Sequence, residues 1–195
     1  MGGVVSLMLI VVVSLLAETS YQMEVVRDNT VRLHILANSN SQQDQAVKLQ
    51  VRDALLEESE NWFEDCNQKQ DVLDVLQQRQ DDIADICRQT LQQLNCQQDV
   101  TVSVDNEWFD TRDYTEFCMP CGNYDCIKIE LGAGAGHNWW CVLYPQLCIA
   151  SAGSIDAKDS YGENGVRVID SENITISFKI VDWFYNLVHL VGDFI

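Results

Sequence analysis

The sequence predicts a mixed α/β domain of α+β character. In this fold a small twisted mixed sheet is packed by two long helices from the first half of the chain and by a C-terminal helix. Three observations lead there. Apolar and polar residues alternate in several short runs, as at Val31, Leu33 and Ile35 and at Val100, Val102 and Val104. Between those two runs, apolar side chains recur at helical spacing. Past Ile180 the chain becomes densely apolar without alternation, which fits a helix.

In order, Val4 to Ala17 is a run of 14 almost wholly apolar residues, short for a membrane span but suited to the hydrophobic region of an export signal. No Lys or Arg precedes it and no small-x-small cleavage site follows clearly. Residues 1–20 are therefore expected to be a signal peptide or an uncleaved anchor, 21–30 a linker, and 31–195 one domain. In the first strand, Arg32 and His34 alternate with the apolar positions and are expected on an outer face. The turn Asn38, Ser39, Asn40 and Ser41 offers helix caps. The helix after it places Val47, Val51, Ala54, Leu55 and Trp62 on one face and Leu49 and Leu56 on the other, so cover on both sides is expected.

A second helix, Lys69 to Leu94, carries the stripe Val72, Leu76, Ile83, Cys87, Thr90 and Leu94, with an acidic and Gln-rich back. Strands follow at Val100 to Val104, at Ile127 to Leu131 and at Trp139 to Tyr144. The last is apolar on both faces and reads as central. Ser151 to Gly165, rich in Gly, Ser and Asp, is expected as a loop. Alternation at Ile174, Ile176, Phe178 and Ile180 predicts one more strand before the terminal helix.

The formal charge of -18 excludes nucleic acid and anionic membrane surfaces as partners, because both repel it. Membrane contact is expected through the N-terminal segment alone. Eight cysteines behind an export signal point to disulfides, with 105 possible pairings. Folding the chain about Tyr144 and Pro145 sets Cys141 opposite Cys148, a bridge expected to stabilise by roughly 2.5 kcal/mol.

Cys118, Cys121 and Cys126 with His137 nearby come close to zinc spacing, yet the second tight pair of a zinc ribbon is missing. Disulfides are the expectation there, and no metal or cofactor is expected. Gly132, Gly134 and Gly136 lack the Gly-x-Gly-x-x-Gly spacing of a dinucleotide site, so a close backbone approach or a bulge is expected. No catalytic pairing of carboxylates and no Ser/His/Asp set stands out.

Two blocks carry a resemblance. Gly132 to Cys148 reads GxGxGxNWWCVLYPxLC. Upstream lie Arg32-Leu-His-Ile-Leu-Ala-Asn-Ser39 and Asp44-Gln-Ala-Val-Lys-Leu-Gln-Val-Arg-Asp-Ala-Leu55. Together they resemble the stage II sporulation protein R family of endospore-forming bacteria, from about Val31 to the end of the chain. Cys118, Cys121 and Cys126 depart from that family, which carries apolar residues and glycine there. The resemblance implies a non-enzymatic signal protein made in the forespore and exported into the space between forespore and mother cell. There it would trigger a membrane-bound aspartic protease of the mother cell, which removes the pro-segment of an early mother-cell sigma factor.

The expected partner-binding surface gathers His34, Asn38, His137, Asn138, Trp139 and Trp140. His34 lies on the outer face of the first strand, Asn38 in the turn after it, and His137 and Asn138 leave a glycine run without side chains to shield it. Adjacent tryptophans on a strand point to opposite faces, so one is expected buried and the other exposed as an interface anchor. The alternatives are a cell-envelope hydrolase using His137 and Cys141, and a structural envelope-associated protein.

Overall fold

A computed structural model describes residues 2–59, 61–114, 117–145, 157–170 and 176–192. It has mixed α/β architecture: α1 Gly2–Asp28, β1 Val31–Leu36, α2 Gln42–Glu58, α3 Lys69–Gln78, α4 Gln80–Gln93, β2 Val100–Phe109, β3 Arg112–Asp113, β4 Cys118–Met119, β5 Gly122–Leu131, β6 Asn138–Tyr144, α5 Ala157–Ile169 and α6 Ile176–Gly192. The chain divides into two compact units, one of Met1–Asn29, Trp108–Tyr124 and Ala157–Ile195, the other of Thr30–Glu107 and Asp125–Asp156. Residues 31–195, expected as one domain, are shared between them.

The second unit is built on the sheet β2-β5-β1-β6. β1 runs parallel to β5, pairing Leu33 with Ile127 and Ile35 with Ile129, and antiparallel to β6, pairing Leu33 with Cys141 and His34 with Trp140. Alternation then dictates the faces. Val31, Leu33, Ile35, Ile127, Ile129, Leu131, Cys141 and Leu143 join one core with Val47, Val51 and Leu55 of α2, Val72 and Leu76 of α3, and Ile83, Cys87 and Leu91 of α4. Each fully buried Leu or Ile there contributes about 1.5–3 kcal/mol. Ser41 caps α2, its side chain accepting from the Asp44 N–H at 3.1 Å.

Several expectations change here. The stretch 69–94 is two helices meeting at Arg79, whose φ of -102° and ψ of 14° interrupt the helix; the guanidinium lies 4.9 Å from the Trp62 ring centroid. The apolar stripe survives because each helix separately turns its part inward, burying Val72 and Leu76 in α3 and Ile83, Cys87 and Thr90 in α4. On the second face of α2, Leu49 stays exposed, whereas Leu56 is half-buried and lines a cavity with Leu55, Trp62 and Phe63. β6 is an edge strand with β1 central, and its double apolar character reflects Cys141, Val142, Leu143 and Tyr144 all being buried. Arg32 is fully buried and the His34 side chain is 11% exposed, so neither sits on a solvated face.

In the first unit α1 is one helix through its whole length. Its exposed apolar residues include Val4 and the run from Leu7 to Val13, whereas Met23 and Val26 are fully buried. Residues 21–28, expected as linker, are thus its packed final turns. By length and composition Ser6–Asp28 could cross a membrane, a test that a signal sequence also passes. Met23 packs with Cys118 of β4 and with Phe178 and Val181 of α6.

The expected strand at Ile176, Phe178 and Ile180 is the start of α6 instead. Phe178 and Val181 are buried while Ile176 and Ile180 are exposed, the three-residue period of a helix. Ile174 lies outside the described residues. Of the expected loop 151–165, residues 157–165 belong to α5, which breaks at Gly162 with φ 67°.

Among the described residues, Cys66, Cys87, Cys96, Cys118, Cys121 and Cys126 are free thiols. Disulfides expected at Cys118, Cys121 and Cys126 are therefore not formed. Cys118 and Cys121 belong to one unit and Cys126 to the other. Burial raises the thiols of Cys121 and Cys126 to about 12 and keeps them protonated. Of the expected bridge, Cys141 is buried on β6 and Cys148 lies outside the described residues.

Candidate functional site

The glycine run is a docked loop. After β5 the chain turns through Gly132 and Gly134, both left-handed at φ 58° and 59°, where an L side chain is strained. It then lies along the turn that follows β1. The Gly136 N–H donates to the Ala37 carbonyl at 2.8 Å and the Ala135 N–H to the Asn38 carbonyl at 3.3 Å. A Cβ on Gly136 would stand 2.3 Å from the Ser39 carbonyl oxygen. The expected close backbone approach is what the glycines permit.

Side chains of the turn lock the loop. Asn38 Oδ1 accepts from the Ala133 N–H at 2.9 Å, and Asn40 Oδ1 accepts from the His137 N–H at 2.7 Å. From the buried face of α2, Lys48 Nζ donates to the His137 carbonyl at 2.7 Å. Burial, and then the charge of Arg52, lower its pKa. Asp44 ties the turn together, accepting from Ser39 Oγ at 2.5 Å, Asn38 Nδ2 at 3.0 Å and Gln98 Nε2 at 2.7 Å. Hydrogen bonds from Ser39 and then Asn38 hold its carboxyl below the usual range.

Past this clamp the chain enters β6 with His137 and Asn138 exposed. Trp139 pairs with Ile35 and packs on the core, with Arg52 over its ring at 5.1 Å. Trp140 faces the other way and meets His34 edge-on, centroids 5.8 Å apart at 62°. His34 Nδ1 lies 2.7 Å from Glu107 Oε2, and Lys128 Nζ lies 2.9 Å from Glu107 Oε1. Burial raises the Glu107 carboxyl, but the hydrogen bonds and charges of Lys128 and His34 outweigh it and leave the pKa below its usual value.

The expected residues thus separate by role. His34 and Trp140 come together on the face opposite the helices, His137 and Asn138 lead into the same strand, and Trp139 is on the core side. Both tryptophans are half-buried, so they differ by face and not by exposure. Asn38 is not a free contact residue, because its side chain is committed to Ala133 and Asp44.

Sequence reasoning missed Asn40, Asp44, Lys48 and Glu107 as parts of the arrangement. One signal was present, since Lys48 falls between Val47 and Val51 near the apolar side of its helix. Cys141 is fully enclosed by the core, which denies a substrate access to its sulfur. Among the described residues no group of three or more His, Cys, Asp or Glu side chains is placed to hold a metal ion.

Comparison with known proteins agrees with the two sequence blocks. The family model described as stage II sporulation protein R matches residues 27–154, so the resemblance stops short of α5 and α6. Stage II sporulation protein R of Bacillus subtilis (strain 168) is 39% identical over 124 residues, covering 64% of this chain and 55% of that protein. The matched region therefore spans just over half the length of that relative. No solved structure matches. With both blocks brought together in one clamp and about two thirds of the chain matched, the chain belongs to the stage II sporulation protein R family.

Proposed function

We propose that the protein is an exported sporulation signal that activates a membrane-bound aspartic protease of the mother cell, which then processes an early mother-cell pro-sigma factor. The contact is made by the surface where the glycine loop enters β6: His137 and Asn138, with Trp140 on His34. One observation carries this reading. Two sequence blocks almost a hundred residues apart meet in a clamp whose exposed product is this short stretch, held at its backbone by Asn38, Asn40 and Lys48. Holding the backbone on both sides of His137 preorganises a surface before any partner arrives, which reduces the ordering cost of association. A half-buried tryptophan beside polar groups is a common interface anchor.

For localisation, the apolar helix α1 suits export or anchoring. Its burial of Met23 and Val26, and the 3.0 Å contact of Ser20 Oγ with Tyr185 Oη, favour retention as an anchor. The test is co-expression of the full chain, the cognate protease and its pro-sigma substrate in a host lacking all three. Cleavage should require both the chain and the protease. Cleavage by the chain alone, or by the protease alone at the same rate, would sink the proposal.

A further inference from the structure

The second place where the residues ask for a partner is α6, which lies outside the family-matched region. A helix on a water-soluble unit normally turns its apolar side inward, and α6 also does the reverse. Its inward side carries polar anchors. Asp182 accepts from Thr111 Oγ1 at 2.5 Å and from the Cys121 N–H at 3.0 Å. Tyr185 lies under Arg27, 4.8 Å from its guanidinium carbon. His189 stacks on Trp108 with centroids 4.0 Å apart. These contacts fix the helix's rotation, so its outward side is set.

That outward side is Ile176, Ile180, Trp183, Phe184, Leu187 and Val188, each 40 to 80% exposed. They follow one another at three- and four-residue steps and form a single stripe. Lys179 flanks it, exposed beside Trp183 and Asp182.

The neighbouring helix indicates what covers this stripe. α1 presents exposed apolar side chains all around from Leu7 to Val13, and Ser6–Asp28 is long and apolar enough to cross a membrane. α6 packs directly on it. A groove of about 470 Å³ is lined by Val13, Leu16 and Ala17 of α1 and by Ile180, Trp183 and Phe184 of α6. The apolar surface of α1 therefore continues onto α6, and the polar atoms of Ser20 and Tyr185 that also line the groove are paired with each other at 3.0 Å. Trp183 and Tyr185 stand in this groove beside Leu16, Ala17 and Ser20, and both are residue types that favour a membrane–water boundary.

We infer that α6 is an interfacial membrane helix, lying in the bilayer surface with Ile180, Trp183, Phe184, Leu187 and Val188 in the acyl boundary beside the emerging α1. Membrane contact then extends beyond the N-terminal segment. Over 17 residues the helix offers a strip about 25 Å long. The contact is apolar, because a chain of charge -18 gains nothing from anionic lipid.

Full-length protein reconstituted in phosphatidylcholine vesicles tests this. The chain has five tryptophans, so the emission of wild type minus that of Trp183→Phe isolates Trp183. Lipid brominated on the upper acyl carbons should quench this component strongly, and aqueous acrylamide should quench it weakly. Acrylamide quenching without bromolipid quenching would mean that the stripe faces water. Protection from both would mean that a second copy or another protein covers it. Either result overturns the inference. Should Trp183→Phe fold poorly, the same comparison is made with the Phe184→Trp variant, read as the emission gained over wild type. No protease is involved, so this test succeeds or fails independently of the proposed signalling role.

Discussion

Gly136→Val is expected to destabilise the unit built on the four-stranded sheet by at least about 3 kcal/mol. Even the first added carbon would stand 2.3 Å from the Ser39 carbonyl oxygen, 2.6 Å from its carbon and 2.9 Å from Ala37 Cβ. Two of these atoms belong to backbone and cannot rotate away. Relief requires the loop to lift off the turn. That movement breaks the bonds from Gly136 to Ala37 and from Ala135 to Asn38, and with them the Asn38 and Asn40 clamps. Each such bond is worth about 1 kcal/mol and more when a buried group is left unpaired. Urea denaturation checks it: a midpoint within error of wild type would mean that the loop is not docked as described.

The second large effect is functional. Trp140→Ala should abolish protease activation while lowering stability by only about 1 kcal/mol, because the ring is half-buried and rests on His34, away from the helix-packed core. Trp139→Ala should cost about 3 kcal/mol, since that ring packs against the core and under Arg52. The pair is its own control, being adjacent in sequence and identical in chemistry but opposite in facing. Pro-sigma cleavage and thermal denaturation of both variants decide the matter. If both substitutions unfold the protein, or both leave cleavage intact, the assignment of the surface fails.

The opposite facing of these tryptophans was legible from strand alternation alone, as were β1, the start of β2, β5, β6 and the apolar stripe through Val72, Leu76, Ile83 and Cys87. Alternation failed at Ile176, Phe178 and Ile180, where a two-residue period in a short window also satisfies helical spacing. Composition failed at 157–165, where a Gly-, Ser- and Asp-rich run is helical up to and beyond a break at Gly162.

That the turn after β1 and the glycine run carry distinctive residues was legible in the sequence, but what each residue contacts was not. Nothing local tells His34 that Glu107 and Trp140 will cover it, since that follows from the pairing of β1 with strands far along the chain. Asn38 looked like a polar residue free to meet a partner. Its role became visible when the glycine loop, nearly a hundred residues later, brought the Ala133 N–H to its side-chain oxygen.

The claim that the β6 entry is the partner contact is tested most directly by proximity. A photo-crosslinking amino acid is placed at Asn138, exposed and without a role in the clamp, and a control is placed at Asp81 on the solvent face of α4. Both proteins are co-expressed with the cognate protease and irradiated. The account predicts a covalent adduct with the protease from position 138 and none from position 81. An adduct from 81 with none from 138, in protein that still activates cleavage, would contradict it.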